Sequence, residues 1–243
     1  MTSLPAPWLS APGLLTPWLP APGIPTPGPL AAWLLDAAAV LAPVSCGGCG
    51  VDGRSVCVRC RDELVPSLRE VDLGGLRATA ALDYGGVVSS LLSAAKEHDR
   101  PGVLRALAPP FRAAVDSMLA RESEPVLVVA VPSSAQARRA RGYRPVETLV
   151  RLAGRRPAPS GVLRQIREVD DQAGLSVAAR RRNLSGALRA GPMVQGRCVL
   201  LVDDVVTTGS TLREAARAVS EAQGAVVGAA CLAHTVKRKA TPR

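Results

Sequence analysis

Residues 199–211 read VLLVDDVVTTGST, an unbroken apolar run that ends in two adjacent acids and then in a loop of threonine, glycine and serine. An apolar run without polar alternation suits a central parallel strand buried on both faces. Asp203 and Asp204 then stand at its carboxyl end, where ligands bind in open α/β sheets, and a carboxylate pair there can accept hydrogen bonds from two sugar hydroxyls. After Val205 and Val206, the residues Thr207, Thr208, Gly209, Ser210 and Thr211 make the turn into a helix. Small residues let backbone N–H groups approach a phosphate, hydroxyls add donors, and the helix N-terminus adds the positive end of its dipole. One sugar and one phosphate are thus addressed together. A plain buried strand followed by a capped helix would explain the apolar residues and Ser210, but not the acids beside the glycine turn.

The rest of the chain from about Ala78 continues the α/β pattern. ATAALDY predicts a strand, VVSSLLSAAKEH a helix, and VLRALAPPFRAAVDSMLA a second helix interrupted near Pro109 and Pro110. VLVVAV at 126–131 is a second buried strand, followed by the loop PSSAQARRARGYR and a helix from about Pro145. Residues 162–190 are basic and irregular. A strand over 198–203, a helix from Ser210 to Gln223 stopped by Gly224, and a closing strand AVVGAACLA complete the series. Strands alternating with helices imply a mainly parallel sheet.

Residues 1–29 are of another kind, a Pro, Ala, Leu and Gly sequence with a loose period of ten. So much proline removes backbone donors and forbids helix, so the segment is expected to be disordered. The apolar stretch from Leu30 to Val44 is broken by Asp36 and Pro43 and is too short to cross a bilayer. No basic leader precedes it, which argues against a secretory signal and for a cytoplasmic protein without membrane insertion.

Residues 46–60, CGGCGVDGRSVCVRC, hold two CxxC pairs seven residues apart. Each pair can wrap two sulfurs onto one side of a metal, and Cys46, Cys49, Cys57 and Cys60 together would close a tetrahedral structural Zn²⁺ site. A disulfide framework is the competing reading, and a redox CxxC would leave one pair superfluous. Cys198 and Cys231 lie in or beside apolar strand sequence and read as core residues.

The net charge of +10 is concentrated: residues 138–189 carry 13 Arg against four acids. Such clustering suits pyrophosphate or a nucleic acid backbone, although a solvated surface also accounts for any single Arg. With six aromatic residues, three of them Trp8, Trp18 and Trp33 near the start, an extended base-stacking platform is disfavoured.

Four apolar residues, an acidic pair, two apolar residues and TTGxT together resemble the type I phosphoribosyltransferase motif, and every position matches. The four cysteines, then LLSAAKEH, VPSSAQARRARGY, REVDDQAGLSVAARRRNLSGAL and VLLVDDVVTTGST, resemble the ComF family in content and order across roughly residues 30–235. That resemblance implies an α/β fold, a type I phosphoribosyltransferase-like mainly parallel sheet with helices on both faces, preceded by a small four-Cys zinc ribbon and a disordered tail. The expected division is 1–29 for the tail, 30–75 for the zinc module and 76–243 for the phosphoribosyltransferase-like domain. It also implies an association with DNA uptake in natural transformation.

The implied ligand is phosphoribosyl diphosphate with Mg²⁺ bridging its diphosphate. Asp203 and Asp204 would hold the ribose as catalytic residues, and Val205, Thr207, Thr208, Gly209, Ser210 and Thr211 would bind alongside them. Arg139 and Arg141, with the flexible Gly142, would grip diphosphate by charge-assisted bonds. Gln172, Arg182 and Asn183 are the candidates in the segment where related enzymes carry a mobile loop. Lys96 matches the family's lysine after the first helix, where complementing the helix dipole is the plain expectation. His98 and His234 have no partner at ligand spacing and receive no role. One departure stands out: where the family usually has RGFNQ, residues 141–145 read RGYRP, losing two amides and gaining Arg144 and Pro145. Two functions therefore remain open, a transferase moving ribose 5-phosphate to a nucleophile and a non-catalytic adaptor that binds single-stranded DNA or a DNA-uptake helicase. Related enzymes are often dimers, so the resemblance also admits a homodimer.

Overall fold

The strand that anchors the argument is as deeply buried as its composition demands. Val199, Leu200, Leu201 and Val202 are each 0% exposed, so both of its faces are covered. The structure is a computed structural model and describes residues 44–97, 100–133, 143–167 and 183–235; the proline-rich segment 1–29 lies outside them. In chain order the elements are α1 (Val58–Asp62), β1 (Arg69–Asp72), β2 (Arg77–Asp83), α2 (Gly86–Glu97), α3 (Pro101–Leu119) and β3 (Val126–Ala130). After these come α4 (Pro145–Leu152), β4 (Leu163–Gln165), β5 (Leu188–Ala190), β6 (Cys198–Val206), α5 (Ser210–Glu221) and β7 (Ala225–His234).

Five strands form one sheet in the order β1-β2-β7-β6-β3. The pairs β2–β7, β7–β6 and β6–β3 are parallel, and β1 adds an antiparallel edge. The alternation along β6 separates two cores. Leu200 and Val202 join Leu91 of α2, Leu104 and Phe111 of α3 and Leu149 of α4 on one face. Val199 and Leu201 join Leu212 and Val219 of α5 on the other, together with Leu163 and Leu188 of the separate β4–β5 ladder. Helices thus cover both faces, the arrangement expected of a mainly parallel sheet.

Two expectations need correction, and one strand was not foreseen. The helix α3 is not interrupted at Pro109 and Pro110; it runs through both. An interior proline removes a hydrogen bond and costs about 3 kcal/mol. Here Leu104, Leu107, Phe111, Val115 and Met118 recur at helical spacing and are all at most 1% exposed, so burial of that stripe outweighs the lost bonds. The basic stretch 162–190 is not wholly irregular, since its ends pair as β4 and β5, with Leu163 opposite Ala190 and Gln165 opposite Leu188. Finally, β1 was not anticipated. Its sequence REVD has no apolar period, and it pairs antiparallel with β2 at the edge of the sheet.

Candidate functional site

β6 extends to Val206, three residues past the expected end at Asp203. The cause lies in its neighbours. β3 accompanies it only to the Ala130–Val202 pair, whereas β7 follows it to the Val206–His234 pair. From Asp203 onward β6 therefore has a strand on one side only among the described residues, and the acids border that gap rather than ending the strand. Consecutive strand residues face opposite ways. Asp204 turns to the side of α2, where Lys96 Nζ lies 2.7 Å from its Oδ2. Asp203 Oδ1 accepts the N–H of Asp204 at 2.8 Å. Burial, and then the negative charge of Asp204, pushes the Asp203 carboxyl up to about 8 against the weaker pull of that N–H and of Lys96. The two acids thus differ in their surroundings: Asp204 is met by the Lys96 ammonium, whereas Asp203 is pushed up.

The loop after β6 has the form its sequence predicts. Gly209 is the N-cap of α5, with φ +69° and ψ 9° in the left-handed region, where a side chain is disfavoured. It is required for space as well, because a Cβ there would come within 2.6 Å of Leu73 Cδ2, in the turn between β1 and β2. The Thr208 and Ser210 hydroxyls lie 2.9 Å apart, Ser210 is buried and Thr207 is exposed. From the first turn of α5, Arg213 donates to the Leu73 carbonyl at 3.3 Å and to Ser210 Oγ at 3.3 Å. A backbone turned this way directs the first N–H groups of the helix outward.

Of the other expected site residues, Arg139, Arg141 and Gly142, and likewise Gln172 and Arg182, lie outside the described residues, as does His98. Asn183 is half-buried. Its backbone carbonyl accepts from Arg167 Nη2 at 2.6 Å, and the same nitrogen reaches the Ser185 carbonyl at 3.1 Å. Residues 167 and 183, the two sides of the Gln172 to Arg182 stretch, are therefore tied together. The RGYRP departure has a local explanation. Pro145 starts α4, where its missing N–H costs nothing. Arg144 Nη1 pairs with Glu147 Oε1 at 2.9 Å, and the Tyr143 hydroxyl donates to the Ala95 carbonyl.

Two groups escaped the sequence reading. His234, given no role, has Nε2 2.8 Å from Asp83 Oδ1; β2 supplies that carboxylate from a distant part of the chain. Glu214 is 6% exposed, accepts the Leu188 N–H at 3.0 Å and is bridged by Arg217 at 2.7 Å. Arg217 also donates to the Leu188 carbonyl at 3.0 Å, so both sides of the β5 backbone are fastened to α5. Burial pushes Glu214 up, but Arg217 and the Leu188 N–H outweigh it and leave the carboxyl below its ordinary value. The Glu-x-x-Arg spacing was visible in the sequence, but its target on β5 was not.

The four cysteines come together. Their sulfurs all lie within 4.8 Å of one another, with Cys49 and Cys57 at 3.6 Å and no disulfide among them. Bonds of about 2.3 Å from zinc to sulfur give a tetrahedral edge of about 3.8 Å, so the set fits a structural zinc. Burial pushes the Cys46 thiol up, yet N–H groups of Cys57, Cys49 and Gly48 outweigh it and bring it down to about 6, which favours a thiolate ligand. Cys60, buried at 1% exposure among the other sulfurs, is pushed up. Gly48 is needed for close approach here, since a Cβ would stand 2.8 Å from Cys60 Sγ. Cys231 is buried core, as expected, and Cys198 is partly buried.

The model of the family described as phosphoribosyl transferase domain matches residues 118–243, just over half of the chain. The chain belongs to that family. Its four-cysteine cluster lies ahead of the phosphoribosyl transferase match, as the resemblance to the ComF family implies, and its mainly parallel sheet with helices is the fold class expected. Among curated relatives, the DNA utilization protein YhgH of Escherichia coli O157:H7 is 48% identical over 62 residues, 26% of this chain and 27% of that protein. The protein of the same name from Salmonella typhi is 40% identical over 77 residues, 32% of this chain and 34% of that one. The chain thus matches about a quarter to a third of the length of these relatives. Among solved structures, an adenine phosphoribosyltransferase is 13% identical with a TM-score of 0.39, covering 73% of this chain and 90% of that one. The Mycobacterium tuberculosis orotate phosphoribosyltransferase is 16% identical with a TM-score of 0.33, covering 72% and 94%. No described helix is long and apolar enough to cross a membrane.

Proposed function

We propose that this phosphoribosyl transferase family member binds phosphoribosyl diphosphate and transfers ribose 5-phosphate to a nucleophile, within a cytoplasmic process linked to DNA uptake. The observation that carries the reading is the placement of Asp203 and Asp204 on the open side of β6, with four residues between Asp204 and the left-handed turn at Gly209 that opens α5. In the reaction the bond from the anomeric carbon to the diphosphate oxygen breaks, its electron pair leaves with diphosphate, and a bond to the nucleophile forms as the nucleophile gives up its proton. Positive charge develops on the sugar. Asp204, at the edge of a buried strand, stabilises that charge, and Asp203 orients a ribose hydroxyl. Residues Val205 and Thr207 to Thr211 anchor the 5-phosphate through backbone N–H groups and hydroxyls. Arg139 and Arg141 draw diphosphate away, and Gln172, Arg182 and Asn183 approach the ligand from the segment between β4 and β5.

Mg²⁺ would enter on the diphosphate and neutralise part of its charge, because such ions are held largely by substrate phosphates. The name of the relatives, DNA utilization protein, supports the link to DNA. Calorimetric titration of the zinc-loaded protein with phosphoribosyl diphosphate and Mg²⁺ tests the reading. Binding should be lost in the variant carrying both Asp203→Ala and Asp204→Ala, while its unfolding transition persists; unchanged affinity in that folded variant defeats the assignment.

One observation favours a second reading, a non-catalytic adaptor that binds DNA or a helicase partner when its ligand is present. Where the family usually has two amides, Arg144 is engaged by Glu147 and Pro145 by the start of α4. The sign of the adaptor would be DNA affinity that falls steeply with salt and depends on Arg138, Arg139 and Arg141. Absent or salt-insensitive binding counts against it.

A further inference from the structure

Lys96 stands in the last turn of α2, where a lysine that only complemented the helix dipole would turn to its own carbonyls or to water. Instead its ammonium crosses to β6 and lies 2.7 Å from Asp204 Oδ2, with the Lys96 side chain 31% exposed and that of Asp204 16%. The reach is prepared from three directions. At the front of the chain the cysteine knuckle packs so tightly on α2 that a Cβ on Gly47 would stand 3.0 Å from Ala94 Cβ, and one on Gly48 3.1 Å from Val87 Cγ1. Beneath it, Leu91, Leu92 and Ala95 are buried in the core shared with α3 and α4. From the side, the Tyr143 hydroxyl holds the Ala95 carbonyl, one residue before the lysine. A long, flexible side chain is thus carried on a fixed backbone to one carboxylate of the acidic pair.

We infer that Lys96 is a further ligand-binding residue of this site, orienting Asp204 toward the sugar and offering its other donors to the anionic group carried on the same sugar. The inference rests on the phosphoribosyl diphosphate reading. An ammonium has three donors and no acceptor, and the contact with Asp204 occupies one of them. A group partly open to water, beside an acid at the mouth of a parallel sheet, can serve a hydroxyl-bearing and phosphate-bearing ligand in both respects. Its compact charge would meet diphosphate as a point charge, where an arginine would meet it as a planar fork. The residue therefore belongs with Asp203, Asp204 and the Gly209 loop rather than with the surface ion pairs.

The test uses the full zinc-loaded chain as wild type, Lys96→Met and Lys96→Arg, each titrated calorimetrically with phosphoribosyl diphosphate, with pyrophosphate and with ribose 5-phosphate, Mg²⁺ present throughout. Loss of one charge-assisted contact should weaken phosphoribosyl diphosphate binding by Lys96→Met at least about tenfold. Pyrophosphate should weaken as well, and Lys96→Arg should recover most of the affinity for both. A pairing of purely structural kind would lower the unfolding midpoint of Lys96→Met and leave the affinity of its folded fraction at the wild-type value, which overturns the inference while the reading beneath it stands. A wild-type protein that binds none of the three ligands overturns that reading and the inference with it. Should Lys96→Met fold poorly, Lys96→Gln carries the same comparison.

Discussion

Gly209→Ala offers a sharp test of how the glycine turn is built, because the residue is needed for two separable reasons. Its φ of +69° would cost an L-residue about 1–2 kcal/mol. Its new methyl would stand 2.6 Å from Leu73 Cδ2 and 2.9 Å from Cδ1, and Leu73, at 5% exposure, has little room to withdraw. Such overpacking adds about 1–3 kcal/mol, so the single variant should lose about 2–5 kcal/mol in all, the sum of these two costs. Leu73→Ala alone should cost about 2–4 kcal/mol as a buried deletion. In the double variant the methyl occupies the vacated space, the crowding disappears and only the backbone cost remains. The double loss should then fall short of the summed single losses by about 1–3 kcal/mol, the range expected of residues in contact. Urea unfolding of the four zinc-loaded proteins, compared at constant slope, measures the cycle. Losses that add to within about 0.5 kcal/mol would refute the claim that Leu73 closes over Gly209.

Two other perturbations report on the shifted carboxyls. Asp203 is pushed up to about 8 from its ordinary 3.8, so the unliganded native state keeps a proton that the unfolded chain releases above about pH 4, and stability should fall as pH rises from there toward 8. Asp203→Asn has no proton to keep; melting curves between pH 5 and 8.5 should be flatter than wild type, and parallel curves for the two proteins would sink the argument. Glu214 is shifted the other way, below its ordinary value, so its contribution is present above the unfolded carboxyl's range and is lost as pH falls through the native one. Glu214→Ala should cost about 3 kcal/mol at pH 7, at the lower end for a broken buried pair because Arg217 keeps access to water. The difference should narrow in acid, and chemical denaturation at pH 7 and pH 3.5 would expose a pH-independent loss.

The strand over 198–203 and the turn at Gly209 were readable because each depends on consecutive residues: four apolar side chains in a row admit few buried structures, and a glycine between hydroxyl residues signals a tight turn. The cysteines were readable for a related reason, since CxxC brings two sulfurs together locally and only the meeting of the two pairs required the fold. What could not be read depends on contacts made across the chain. Lys96 was visible as a lysine at a helix end, but its reach to Asp204 depends on the path of α2 over the sheet. The difference between Asp203 and Asp204 follows from burial of the one and the Lys96 contact of the other, which no local pattern records. The unbroken helix through Pro109 and Pro110 shows the same limit, because local chemistry argues against it and the buried stripe of Leu104, Leu107 and Phe111 decides for it. Glu214 carried no local signal of its role, because its partner Leu188 lies 26 residues away on β5.

The cysteine knuckle is not a pendant on this molecule. Cys46, Val56, Cys60 and Leu64 lie in the same buried cluster as Leu91, Val103 and Phe111, so the sulfurs cannot separate without opening the floor beneath α2 and α3. By mass action, a metal buffered at about a thousand times its dissociation constant adds about 4.1 kcal/mol to whatever state binds it. In this chain that state includes the helices that cover one face of the sheet. A metal held by the four sulfurs would therefore act as a thermodynamic setting on the described fold, and the melting midpoint of α2 and α3 should rise and fall with metal activity although neither helix contributes a ligand.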